Sequence, residues 1–138
     1  MNAKKFILAS IAVTIFIMAF DFLFHGMFMA STYEQTASLW RPHEVMNDYM
    51  VWMILGQIIM SVGFVALFTK AFKRGGIAEG AIYGLLVAII FIGTNLIMYA
   101  VAPYPMNMVI SWIVGVIIEL ILAGMIVAFI YKSKSTHA

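Results

Sequence analysis

The chain has 138 residues, of which 64% are hydrophobic and 10% charged, with a formal net charge of +2 and no cysteine. Soluble domains carry roughly a quarter charged residues, so a chain this short cannot hide its apolar surface from water, and lipid is its expected solvent. The lack of cysteine excludes disulfides, thiolate metal sites and cysteine nucleophiles, and the small, scattered positive charge excludes a nucleic-acid groove.

Met1 to Lys5 is a short polar start with two lysines, and the first expected span runs from Phe6 to Met29. A secretory signal has an apolar core of roughly 7–15 residues. This run is longer and contains Asp21, so a retained span is expected. A carboxylate inside an apolar run is costly, and by default it marks a pathway, a proton site or a partner. His25 follows four residues later, on the same face of a helix.

Residues 30–49 form the expected outer loop, with Glu34, Arg41, His43, Glu44 and Asp48 interleaved with Tyr33, Trp40 and Tyr49. Tryptophan and tyrosine favour the headgroup level, so the loop is expected to lie along the interface. Pro42 biases Arg41 away from helix and suits the first position of a short interfacial helix. Met50–Thr69 is the second span and carries Gln57. The basic stretch after it, with Lys73, Arg74, Gly75 and Gly76, reads as a tight turn. Ala81–Ala102 is the third span, with Thr94, Asn95 and Tyr99, closed by Pro103 and Pro105, which block helix continuation. Met108–Tyr131 is the fourth, with Trp112 near its start and Glu119 in its middle, followed by a polar tail.

The expected fold is all-α: a single transmembrane domain, 1–138, built as an integral membrane antiparallel four-helix bundle. Roughly 20 residues at 1.5 Å each cross a hydrocarbon core of about 30 Å, which these runs satisfy. Seven of the eight basic residues (Lys4, Lys5, Lys70, Lys73, Arg74, Lys132 and Lys134, against Arg41) fall on one side. The N and C termini are therefore expected in the cytoplasm and the 30–49 loop outside, in a plasma or bacterial inner membrane.

Counted from the outer helix ends, Asp21, Gln57 and Asn95 lie at similar depth, roughly 10–12 Å in, with His25 shallower and Glu119 deeper. One reading is a polar pocket open to the outside, where Asp21 and Glu119 hold a cation or proton. The other is interhelical hydrogen bonding, worth only about 0.6 kcal/mol per bond. Asp21, His25, Gln57, Asn95 and Glu119 are the candidate ligand- or ion-binding residues. A metal site is the weaker alternative: histidine occurs only at 25, 43 and 137, and His43-Glu44 lacks the second histidine of a zinc-protease helix. Thioethers bind Cu(I), but the twelve methionines are read as gap-fillers in apolar packing.

Two further patterns bear on architecture. Ala19–His25 can be laid on Gly93–Tyr99, so that Asp21 meets Asn95 and His25 meets Tyr99; this is the echo expected of a parallel repeat. Asp21 to His25, Trp40-Arg41-Pro42 and Pro103-Tyr104-Pro105-Met106-Asn107 together make the whole chain resemble the four-span bacterial membrane proteins grouped as domains of unknown function. That resemblance implies the architecture and no activity. The expected function is non-enzymatic: a ligand- or ion-binding membrane protein or an accessory subunit, with no cofactor. Its expected partners are the lipid bilayer and a second copy or a membrane complex, not nucleic acid. A proton- or cation-coupled small transporter is the alternative, and a metal-binding protein or enzyme using His25 comes last.

Overall fold

The structure is a computed structural model that describes residues 2–72 and 76–131. Lys73, Arg74 and Gly75 of the basic turn, and the tail with Lys132, Lys134 and His137, lie outside the described residues. Helix α1 spans Ala3–Leu23, started by Asn2, whose side chain accepts the Lys5 backbone N–H at 3.1 Å, the usual way to satisfy an orphan donor at a helix start. It runs on through one π-helical turn, Phe24–Phe28. There the Met29 amide reaches back five residues to the Phe24 carbonyl at 2.8 Å. Helix α2 covers Ala30–Gln35, a single 3-10 turn covers Ala37–Leu39, and α3, α4 and α5 are His43–Ala71, Ile77–Val101 and Met106–Tyr131. Among the described residues there is no strand.

Helical structure extends further than the sequence suggested. Most of the expected 30–49 loop is helical, and α3 starts at His43, directly after Pro42, instead of at Met50. Proline fixes its own φ and suits a helix start, and no glycine or proline stands between it and Met50 to stop the helix. The short interfacial helix expected at Pro42 is thus the first two turns or so of the second span. Helix α4 likewise begins at Ile77, behind Gly76, and ends at Val101, two residues before Pro103.

The end of the bundle where α1 begins and α5 finishes, here called the base, is packed through backbone. A Cβ placed on Gly80 would run into the Gly124 carbonyl, one on Gly124 into the Gly80 carbonyl, and one on Gly84 into the Leu120 carbonyl. These pairings run in opposite directions along the chain, so α4 and α5 are antiparallel and touch main chain to main chain, as small residues allow in membrane helices. Around them lies the apolar core. It takes Ala9, Val13 and Ile17 from α1, Phe64, Val65 and Phe68 from α3, Ala88 from α4, and Ala123, Val127 and Ala128 from α5. Tyr83 of α4 ties α3 in: its hydroxyl donates to the Phe64 carbonyl, and its ring lies 4.6, 5.3 and 5.4 Å from those of Phe64, Phe68 and Phe72.

At the opposite end, the mouth, the packing changes character. The Phe24 ring occupies the space left by Gly115 of α5, 2.6 Å from where a Cβ would stand. Gly56 and Gly93, on α3 and α4, face nothing within 4 Å. On the outside of all four long helices, large apolar side chains such as Ile15, Ile59, Ile90 and Phe129 stand exposed. All four are long and apolar enough to cross a membrane, and such a surface fits lipid and not water.

Candidate functional site

Asp21 sits in the last full turn of α1 before the π turn, at the mouth. Its Oδ2 accepts a hydrogen bond from Nε2 of Gln57 on α3 at 2.6 Å. Its Oδ1 lies 3.6 Å from Nε2 of His25, one turn further on. The His25 Nδ1 meets the Tyr33 hydroxyl on α2 at 2.5 Å, and that hydroxyl accepts from the Trp112 indole N–H on α5 at 2.8 Å. Four helices therefore contribute to one connected set.

The direction of the hydrogen bonds follows from the donor inventory. An indole N–H only donates, so the Tyr33 oxygen accepts from Trp112 and its own proton is free for His25. A neutral His25 accepts it at Nδ1 and must then carry its hydrogen on Nε2, the nitrogen that faces Asp21. Gln57 donates to the other carboxylate oxygen. One line of hydrogen bonds thus runs from Trp112 through Tyr33 to His25, and a second from Gln57 to Asp21. Asp21 is 29% exposed and His25 42% exposed, so this end is reached from outside the bundle.

An aromatic cluster fastens the connection after α2 over this end. Trp40 stacks on Tyr104 at 5.6 Å with the rings 13° apart, and Trp112 lies edge-on to Tyr104 at 5.1 Å and to Trp40 at 6.1 Å. Tyr33 meets Trp40 edge-on at 5.3 Å. The Trp40 indole donates to the Thr36 hydroxyl at 3.0 Å, and that hydroxyl donates to the Thr32 carbonyl at 2.8 Å. Arg41 lies over the Tyr49 ring, 3.8 Å from its centre. Tyr33 titrates above the ordinary phenol range. Burial disfavours the phenolate and the nearby Asp21 charge adds to that, while the Trp112 hydrogen bond opposes it.

Glu119 stands midway along α5, one turn toward the base from Gly115, against which Phe24 packs. It is 8% exposed, and its Oε1 has no hydrogen-bond partner.

Of the five candidates from the sequence, Asp21, His25 and Gln57 come together, and Glu119 stands on α5, buried and one turn from the Gly115 that Phe24 packs against. Asn95 does not join: its amide donates to the Phe91 carbonyl one turn back on its own helix, at 2.9 Å. The match of Asp21 with Asn95 is therefore not carried into the bonding. Among the described residues, no three histidine or acidic side chains converge as a metal would require. Sequence reasoning placed Tyr33 and Trp40 at the interface and Trp112 near the start of the fourth span, but missed that they complete the site. The π turn makes that contact, and nothing in the periodicity signals it. No family model matches the chain, and no curated protein or solved structure is detectably similar to it.

Proposed function

We propose that this is a non-enzymatic integral membrane protein that binds a small cation at Asp21, with both termini in the cytoplasm and the mouth facing outward. The observation that carries the reading is a partly exposed carboxylate with one oxygen held by Gln57 and the other outside hydrogen-bond range of His25. The Gln57 bond joins α1 to α3 through Oδ2 alone, and Oδ1 faces a histidine held back by its own bond to Tyr33. The His25 Nε2 stands 3.6 Å away, too far for a good hydrogen bond, so a cation can approach that side of the carboxylate without breaking the Gln57 bond. The surrounding tyrosine and tryptophan rings suit a cationic ligand and the headgroup level alike. The orientation rests on the placement of Lys4, Lys5 and Lys70 at the base and Arg41 at the mouth.

The test is thermal unfolding of the full chain in detergent, titrated with sodium, potassium and tetramethylammonium. A ligand of the folded state stabilises by about 1.4 kcal/mol at roughly ten times its dissociation constant. Saturable stabilisation by one of these ions supports the reading, and none by any of them sinks it. A cytoplasm-only reporter should work at residue 138 and fail near Glu34; activity at Glu34 contradicts the orientation.

A second reading, proton- or cation-coupled transport, is favoured by the position of Glu119. It places a second, more deeply buried carboxyl on α5, near the level of Asp21 on α1. A path made this way needs two stations, and a simple surface site needs one.

A further inference from the structure

We infer that Glu119 is a proton-binding site coupled to Asp21, so that the two carboxyls share one negative charge and a cation seated on Asp21 releases the proton held by Glu119. The inference rests on the reading of Asp21 as the cation seat and adds the group that answers it. Glu119 is more than nine-tenths buried, midway along a helix long and apolar enough to span a membrane. Its Oε1 has no hydrogen-bond partner. An ionised carboxylate there would be an uncompensated buried charge, the costliest state a side chain can take in such surroundings. A neutral carboxyl needs far less.

Phe24 of α1 packs against Gly115 of α5, and one turn toward the base from that contact stand Asp21 on α1 and Glu119 on α5, so Asp21 is the acidic side chain of α1 at the level of Glu119. His25 stands beyond Asp21, on the mouth side, and Tyr33 beyond that. From α3 the site receives Gln57, which is neutral and already bonded to Asp21. Two carboxylates at one level of a largely apolar bundle disfavour each other's ionised form, so one carboxyl holds the proton. Asp21 is partly exposed and accepts from Gln57, whereas Glu119 is buried with an unpartnered oxygen, which assigns the proton to Glu119. Neutralising Asp21 with a cation removes the repulsion, and the proton on Glu119 becomes easier to lose to water entering from the mouth.

The experiment uses dicyclohexylcarbodiimide, an apolar reagent that adds the O–H of a neutral carboxylic acid across its N=C bond and leaves ionised carboxylates alone. Labelling of the full chain in detergent, located by peptide mass, should fall on Glu119. At alkaline pH the yield should drop roughly tenfold in Asp21→Asn, the change in protonation that removing one neighbouring charge produces. Sodium or tetramethylammonium should lower the wild-type yield in the same way. An infrared C=O band of a neutral carboxylic acid should be present in wild type and absent from Glu119→Gln, which keeps the side-chain shape. Labelling that avoids Glu119, or a band unchanged in Glu119→Gln, overturns the proton site. Equal labelling in wild type and Asp21→Asn overturns the coupling. A yield sensitive to Asp21→Asn but to no cation overturns the cation seat alone and leaves the coupled proton site standing.

Discussion

The base and the mouth of this bundle hold the same helices together by different means. At the base, Gly80, Gly84 and Gly124 bring α4 and α5 into backbone contact, and apolar side chains from all four long helices close around them. At the mouth the helices are joined by side chains that bond to one another: Gln57 to Asp21, Trp112 to Tyr33, Tyr33 to His25. Lipid tails are as apolar as leucine, so helix association in a membrane depends on close packing and polar bonds and not on escape from water. The base relies on close packing, which tolerates no added atoms. The mouth relies on polar bonds, which tolerate shape changes but not the loss of a partner. A rigid base with a polar, open mouth is what a binding site at one end of a small bundle needs.

That contrast breaks first, and hardest, at Gly84. Gly84→Val puts branched carbon where the Leu120 carbonyl and the Ile121 Cα stand, and nothing flexible can move aside. The expected loss is about 3 kcal/mol, at the upper end of overpacking costs, read as a lowered midpoint in denaturant titration of detergent-solubilised protein. If Gly84→Val is as stable as wild type, the backbone contact between α4 and α5 is not what holds the base.

At the mouth, Tyr33→Phe removes the hydroxyl that links Trp112 to His25 and leaves two polar nitrogens unmatched. The expected cost is about 1–2 kcal/mol, with a blue or red shift of tryptophan fluorescence as Trp112 loses its partner. Unchanged stability and emission would mean that the linkage is incidental. The same variant carries a pH signature. The phenol of Tyr33 ionises in the fold above its ordinary value of 10.0, with burial as the leading cause. The folded chain therefore holds this proton more tightly than the unfolded chain. The stability it contributes is whole below about pH 10 and is lost as pH rises through the folded value. Wild-type stability should fall more steeply above that pH than that of Tyr33→Phe; parallel curves would remove Tyr33 from the account.

The smallest effect sharpens the comparison from the other side. Gly93, at the mouth end of α4, has open space where a Cβ would go. Gly93→Ala should leave stability unchanged or raise it by up to about 1 kcal/mol through helix propensity. A loss comparable to that of Gly84→Val would show that the mouth half of α4 is closely covered in the detergent-solubilised protein.

The four long apolar helices were legible in the sequence because each run is long, uninterrupted and bounded by glycine, proline or basic residues. The start of α3 was less so. Polar residues from His43 to Asp48 look like loop, yet helix propagation after Pro42 ignores polarity when no breaker intervenes. Asp21 and Gln57 were placed at one depth by counting residues, and they do bond. The same counting put Asn95 at their level, and its amide bonds to its own helix and not to them. Depth fixes the level along the bundle but not the rotation of a helix about its axis, and the amide of Asn95 is satisfied by its own helix. The part played by Tyr33 was hidden for another reason. Its contact with His25 depends on the π turn at Phe24–Phe28, and an extra residue in a turn leaves no trace in hydrophobic periodicity.

The central claim is that Asp21 is kept for its charge and not for joining α1 to α3. Asp21→Asn and Asp21→Leu separate the two. Asparagine keeps an oxygen for Gln57 and should hold stability to within about 0.5 kcal/mol, whereas leucine strands the Gln57 amide and should cost about 1–3 kcal/mol. The deciding measurement is the cation titration of thermal unfolding on wild type and Asp21→Asn side by side. The account predicts saturable stabilisation of wild type and none of Asp21→Asn, at nearly equal stability without the ion. An Asp21→Asn variant that matches wild type both with and without the cation would contradict it and leave Asp21 as a structural residue.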